Sequence, residues 1–225
     1  GWAAARPGRL AHAAPHDPLG ARFLAEALRT CAPDPAALAR APTAATLAPA
    51  IRATRAWYAA LRPALWRQGR AFPRDLAEQR AMMRAGEIDL ALAANPSEAV
   101  AGAANGLLPA GARAVALAGG AIGGLGVNVV PAGAARPEAA LLLADFLLSP
   151  SAQAHAMDGR ILGSPTVLAP RFLSAFSGPH APAGPASLGE GVAVAGPHPG
   201  WTAHLAMICG SCSSTIAARG IVTQP

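Results

Sequence analysis

The stretch DLAEQRAMMRAGEIDL, residues 75–90, combines the signals of a helix and of a strand. The segment from Asp75 to Arg84 is predicted to be a helix that stops at Gly86. Glycine adopts the left-handed conformation of a helix C-terminus at the least cost, so the helix is expected to end there. Residues 87–91 then alternate between polar and apolar side chains, which predicts a strand with one buried face.

The next stretch, ALAANPSEAVAGAANG, residues 91–106, turns the chain and begins a second helix. Asn95 and Pro96 are typical turn residues. Ser97 is a favoured N-cap, and Glu98 lies in the first turn, where the helix dipole stabilises a negative charge. Helix, strand, turn and helix in this order predict an α/β unit.

Three further helices are predicted upstream of residue 75. Residues 22–29 have helical spacing, Asp34 and Pro35 begin a brief helix through residue 41, and Thr43 begins the longest helix. Trp57 lies in that longest helix and is predicted to be a core residue. The apolar stripe of the same helix comprises Leu47, Ile51, Tyr58, Leu61 and Leu65.

Downstream, the sequence predicts two strands around a glycine-rich turn and then two helices. The strands are residues 113–117 and 127–130, and the short apolar runs and glycines between residues 114 and 135 favour strands over a membrane helix. Pro137 begins a helix that carries several leucines, and residues 152–157 form a second short helix. Residues 177–199 are rich in proline, glycine and alanine, as linkers are.

Composition restricts the possible functions. The chain has 225 residues, a net charge of +6 and a pI near 10.8, but its cations are scattered, which argues against nucleic-acid binding. All 18 of its arginine and lysine residues are arginine. Without lysine, the chain cannot use P-loop, Schiff-base or kinase-type lysine chemistry.

The usual motifs of catalysis and metal binding are missing from the sequence. Cys209 and Cys212 form a CxxC pair, but a second pair or a thioredoxin-like βαβ context does not accompany it. The six histidines lack HxxxH and HExxH spacing, and the glycines at 119–126 do not form GxGxxG between a strand and a helix. We therefore predict no enzyme activity, no cofactor and no metal site.

Several segments resemble type II solute-binding proteins of ABC importers, in the branch that includes iron, thiamine and polyamine receptors. The most specific segment is RPALWRQGRAFP, residues 62–73, and the RAGEIDL and NPSEA segments at 84–90 and 95–99 are also similar. The remaining similar segments are GGAIGG at 119–124, RPEA at 136–139, FLLSPSAQ at 146–153 and GSPTVL at 163–168.

This resemblance implies an incomplete α/β fold, with type II periplasmic-binding-protein lobes: the second lobe plus the C-terminal part of the first. Residues 1–118 would belong to the second lobe, and residues 119–131 would be a glycine-rich crossover between the lobes. Residues 132–176 would form the helical part of the first lobe, and residues 177–225 a disordered or non-native tail.

The expected ligand-binding residues lie where these lobes would meet. Trp66 and Arg67 lie at the end of the longest helix, where side chains can point into a cleft. Asn95 and Ser97 would lie at the carboxyl end of a strand and the start of a helix, where open α/β sheets bind ligands. The crossover would let a ligand approach the main chain at Gly120, Ala121, Ile122 and Gly123.

The function implied by the resemblance is capture of a small solute in the cleft between the lobes, followed by delivery to an ABC permease in the membrane. We expect a monomer in the periplasm or outside the cell, with no nucleic-acid partner. The alternative is a basic nucleic-acid-associated protein without enzymatic activity, which salt-sensitive retention on DNA would reveal.

The chain also departs from the family pattern. Three polar residues of the family's crossover segment are replaced by Gly119, Ala121 and Gly124, which weakens the expected cleft chemistry. The chain begins inside the expected second lobe, so we expect a fragment or a truncated reading frame. We also hypothesise a frame shift near Leu205, which DNA sequencing across that point would test.

Overall fold

The computed structural model describes residues 1–93, 95, 97–115, 119–123, 127–158, 161, 166–168, 172 and 193–210. The chain divides into two compact units. The first unit comprises residues 1–92, 121–123 and 193–225, and the second comprises residues 93–120 and 124–192.

Helices make up most of the described structure. In the first unit they are α1 (Trp2–Ala5), α2 (Pro18–Cys31), α3 (Ala44–Leu61), α4 (Leu76–Arg84) and α8 (Ala206–Cys209). Short 3-10 turns occupy Pro35–Ala39, Arg62–Ala64, Trp66–Gly69 and Pro199–His204. The second unit contains α5 (Glu98–Ala104), α6 (Pro137–Leu148) and α7 (Pro150–Met157).

Local capping explains why these helices start and end where they do. The carboxylate of Asp75 accepts a hydrogen bond from the Glu78 backbone N–H, and Gly86 follows the helix with a φ of 69°. Thr43 and Thr46 form a reciprocal capping box at the start of α3. Capping satisfies backbone groups that a helix end leaves without partners. The predicted starts at Asp75 and Thr43 are therefore confirmed.

The core of the first unit forms where α2, α3 and α8 pack together. Trp201, which precedes α8, is 1% exposed, and its indole N–H donates to the Arg40 carbonyl at 2.9 Å. The prediction that Trp57 is a core residue is wrong, because its side chain is 39% exposed and only its neighbour Tyr58 turns inward. Buried members of this core include Leu24, Leu28, Ile51, Tyr58, Trp201 and Ile208.

Strands contribute little to the described structure. β1 (Ala121–Ile122) pairs in parallel with β2 (Ala193–Val194), and each strand has two residues. The predicted strand at residues 87–91 makes only a one-residue bridge, between Leu90 and Leu10. Residues 113–115 and 127–130 are not in strands, and residues 116–117 lie outside the described residues.

The prediction of an α/β fold with type II periplasmic-binding-protein lobes is therefore wrong. A strand is stable only when a neighbouring strand accepts and donates its backbone hydrogen bonds along several residues. Leu10 bridges both Leu65 and Leu90, but each contact ends after one residue. The alternation at residues 87–91 indicates a buried face, but it does not indicate whether a neighbouring strand continues the pairing.

The second unit is held by contacts near its helix ends. Gly102 of α5 lies against the side chain of Leu108, where a larger residue would clash. The Gln153 amide of α7 donates to the Leu147 carbonyl of α6 at 2.7 Å, and its carbonyl oxygen accepts from the Thr166 hydroxyl at 2.9 Å. The first of these hydrogen bonds ties α7 to the end of α6.

Candidate functional site

The turn Trp66–Gly69 has an unusual backbone. Leu65, which precedes it, is buried, and the Trp66 backbone N–H donates to the Leu10 carbonyl at 2.7 Å. Arg67 and Gln68 then have φ angles of 48° and 57°, and Gly69 has a φ of 62°. Residues other than glycine rarely adopt this left-handed backbone conformation, and such residues are often found at functional sites.

This turn presents an aromatic ring and a cation together. The Arg67 guanidinium carbon lies 4.3 Å from the centre of the Trp66 ring, within the range of a cation–π contact. The Trp66 indole N–H donates to Glu87 Oε1 at 2.7 Å, which holds the ring in place. Within the described residues, the Arg67 side chain makes no hydrogen bond or ion pair, so its N–H donors face solvent.

A shallow crevice lies beside the turn. Its free space is about 150 Å³ including solvent at its mouth, and none of it is large enough to enclose a water molecule. A solute could therefore contact the Trp66–Arg67 surface but could not be enclosed in this conformation. The crevice is lined by Ala11, His12, Leu65, Trp66, Gly69, Ala71 and Phe72.

His12, in the wall of the crevice, is 1% exposed and surrounded by aromatic rings. Its ring stacks on Phe23 with centroids 4.4 Å apart and an interplanar angle of 9°, and Phe72 lies tilted at 4.9 Å. Desolvation lowers the pKa of His12 to about 4, outweighing the opposite effect of its hydrogen bond to Ala13. The ring is therefore uncharged at neutral pH.

The hydrogen bonds of His12 define its neutral tautomer. Nδ1 lies 2.8 Å from the Ala13 carbonyl oxygen, which can only accept, so Nδ1 carries the proton. Nε2 then accepts from the Tyr58 hydroxyl at 2.9 Å. This arrangement leaves Nε2 occupied, so His12 acts as a packed polar core residue and not as a base open to solvent.

The expected ligand-binding residues are divided between the two units. Trp66 and Arg67 lie in the first unit, as do Ala121, Ile122 and Gly123, whereas Asn95, Ser97 and Gly120 lie in the second. The Ile122 backbone N–H donates to a Glu26 carboxylate oxygen, and the Gly123 N–H donates to the Val194 carbonyl at 3.0 Å. These backbone donors are already used within the first unit.

In the second unit, Asn95 and Ser97 precede α5. The Ser97 side chain does not cap this helix, although Ser97 is its N-cap residue. Asn95 Oδ1 is buried and has no hydrogen-bond partner among the described residues. Gly120 is buried, with a φ of 78° that suits glycine. Whether these residues bind a ligand stays a prediction.

Sequence reasoning missed the polar and aromatic cluster around His12. Its members, His12, Phe23, Tyr58 and Phe72, are spread over 60 residues of sequence with no common spacing. Such a cluster depends on which elements pack together. The only local signal was the position of Tyr58 on the apolar stripe of α3.

The described residues contain no group of three or more histidine, cysteine or acidic side chains that could bind a metal ion. Cys209 is buried and Cys31 is partly buried, and burial raises the pKa of the Cys31 thiol. Cys212, the other half of the predicted CxxC pair, lies outside the described residues. Within the described part of the chain, no helix is both long and apolar enough to cross a bilayer.

Comparison with known proteins gives one informative similarity. Over 172 residues, the sequence is 38% identical to Protein YnjB of Escherichia coli strain K12. The chain is similar to YnjB. The alignment includes 76% of this chain and 44% of YnjB, so the chain spans less than half of its relative. No family profile matches the sequence, and no solved structure matches it. The name YnjB does not state a function.

Proposed function

We propose that this chain is part of the solute-binding component of an ABC importer and that Trp66 and Arg67 bind an anionic group of the solute. The observation that carries this proposal is the Arg67 guanidinium, stacked 4.3 Å from the Trp66 ring centre and unpaired among the described residues. The resemblance of residues 62–73 to solute-binding proteins includes the same two residues.

The chemistry of the guanidinium favours a carboxylate or a phosphate. Arginine has five N–H donors in a planar group, which matches two oxygens of either anion. Stacking on Trp66 limits the motion of the group, so less side-chain entropy is lost on binding. The hydrogen bond from Trp66 to Glu87 positions the ring in turn. A solute held at this site would contact the ring with its apolar part.

A periplasmic or extracellular location and an ABC permease in the membrane belong to the same proposal. The arginines are scattered along the sequence, which argues against the alternative of nucleic-acid association. Fractionation of cells that express the gene from its own chromosome checks the location. Recovery only from the cytoplasm would contradict transport of an external solute.

Binding is tested by thermal unfolding and equilibrium dialysis with citrate, inorganic phosphate, spermidine and thiamine. The variants are Arg67→Ala and the control Arg52→Ala, which removes the same charge from an exposed position of α3. Citrate or phosphate is expected to stabilise the wild type and the control by about 2.7 kcal/mol at a hundred times the dissociation constant. Arg67→Ala should lose most of this stabilisation.

Three results would contradict the proposal. Equal stabilisation of Arg67→Ala would mean that the anion binds elsewhere, and stabilisation by spermidine or thiamine alone would mean that the site does not select anions. If none of the probes stabilises the wild type, the proposed anion site loses its support. Retention on single-stranded DNA that weakens steeply with salt would instead favour the nucleic-acid alternative.

A further inference from the structure

Helix α6, PEAALLLADFLL at residues 137–148, carries large apolar side chains on three sides, and its two acidic residues, Glu138 and Asp145, share the strip that remains. At 100° per residue, Leu141 and Leu148 lie on one side, Leu142 and Phe146 on a second, and Leu143 and Leu147 on a third. Surface helices usually have one apolar stripe and one polar face. An apolar surface that extends over three sides is typical of a helix in a protein core.

None of these side chains is buried in the described structure. Leu142 is 72% exposed and Phe146 is 58% exposed, and the remaining four are also exposed. Helix α7 is bonded to the end of α6 through Gln153 but leaves all three sides open. Exposed apolar surface of this extent marks an interaction site in a soluble protein.

The arrangement of the side chains restricts what can cover them. A second copy packed through one helix face would bury one side, as would adsorption to a lipid surface. A helix of 12 residues is about 18 Å long, which is too short for the 30 Å hydrocarbon layer of a bilayer. Burial of all three sides requires several polypeptide elements around the helix.

We propose that α6 is a core helix completed by further polypeptide of the kind that forms the unmatched part of YnjB. More than half of YnjB lies outside its match to this chain, which is enough polypeptide to supply several covering elements. Apolar side chains of those elements would pack against the leucines of α6. The driving force would be removal of the leucine and phenylalanine surfaces from water.

The test uses the segments of Escherichia coli YnjB that lie outside the match, produced as separate chains together with this full chain. Association is measured by size-exclusion chromatography and titration, and the protection of α6 by amide hydrogen exchange. Leu142→Glu and Leu143→Glu place a charge on two different sides of α6. Val129→Glu is the control, because Val129 lies in the same unit, is similarly exposed and is outside α6.

We expect a YnjB segment to associate with the chain and to slow the exchange of α6 amides. Each α6 variant should weaken association about tenfold or more, because it replaces a buried leucine with a charged side chain that would lose its water. Val129→Glu should bind as the wild type does. Unchanged hydrogen exchange in α5 and α7, which belong to the same unit as α6, shows that the variants are folded.

Several outcomes would overturn the proposal. One is the failure of every YnjB segment to associate, and another is association that neither α6 variant weakens. If α6 becomes more protected as the concentration of the chain alone increases, the surface would be assigned to a second copy. Protection that appears only with phosphatidylcholine vesicles would assign it to a lipid surface.

Discussion

Nε2 of His12 lies 2.9 Å from the hydroxyl oxygen of Tyr58, although the two residues are 46 positions apart. Both side chains are almost fully buried, so this hydrogen bond joins the segment before α2 to the last turn of α3. A polar pair in an apolar environment is costly to separate, since each partner would lose its hydrogen bond without gaining one from water.

The first prediction concerns acid stability. Because the pKa of His12 falls from 6.5 to about 4 on folding, the unfolded chain binds the additional proton between these values. The free energy of unfolding is therefore highest above pH 6.5, and it falls as the pH is lowered towards 4, because the proton binds preferentially to the unfolded chain. The loss should be on the order of 3 kcal/mol. Urea unfolding at pH 7 and pH 4.5 measures it.

His12→Gln should show a smaller loss over this pH range, whereas the control His155→Gln should behave as the wild type does. Hydrogen bonding from Arg9 is the main cause that lowers the pKa of Asp89. Carboxylates of this kind contribute the same acid-induced loss of stability to all three proteins. If the wild type and His12→Gln lose the same stability, the conclusion that His12 is buried and uncharged in the folded chain is wrong.

The second prediction concerns Tyr58. Tyr58→Phe removes the donor to His12 Nε2 and leaves a buried acceptor without its partner. The free energy of unfolding should fall by about 1–3 kcal/mol at pH 7. Urea denaturation of Tyr58→Phe, His12→Phe and the double variant forms a thermodynamic cycle. Additive effects would show that the two side chains are not coupled.

The third prediction concerns Gly20, in the first turn of α2. A Cβ atom at this position would overlap the carbonyl oxygens of Ala13 and Ala14, which are backbone atoms and cannot move aside cheaply. Gly20→Ala should therefore destabilise the chain by about 1–3 kcal/mol or more. Gly111→Ala, where a Cβ would meet nothing within 4 Å, should change stability by about 0.5 kcal/mol at most. Thermal unfolding compares the two, and similar values would contradict the packing around Gly20.

The fourth prediction concerns the strained turn at Arg67 and Gln68. Left-handed backbone costs an ordinary residue about 1–2 kcal/mol; glycine avoids this cost, but its larger unfolded-state entropy cancels part of the gain. Gln68→Gly should therefore raise the free energy of unfolding by up to about 1 kcal/mol, while Gln68→Ala should change it little. Urea denaturation distinguishes the variants. A Gln68→Gly variant less stable than Gln68→Ala would show that the turn is not strained.

The predicted helices were mostly confirmed, and their causes are local. Residues 22–29 lie within α2, Pro137 begins α6, and residues 152–157 lie within α7. Capping groups and apolar spacing act within about four residues, so they can be read directly from sequence. The candidate site was predicted only in part, because Trp66 and Arg67 are neighbours, whereas His12 reaches that surface through the fold.

Sequence alone determined where α3 and α4 begin, because Thr43 and Asp75 bond to backbone groups three residues away. Tertiary structure decided the rest. Whether residues 87–91 formed a ladder depended on partner segments remote in sequence, and among the described residues only Leu10 bridged them. Likewise, Trp201 reached the Arg40 carbonyl across 161 positions. Long-range hydrogen bonds and burial depend on which surfaces meet, and that information is not present in any local pattern.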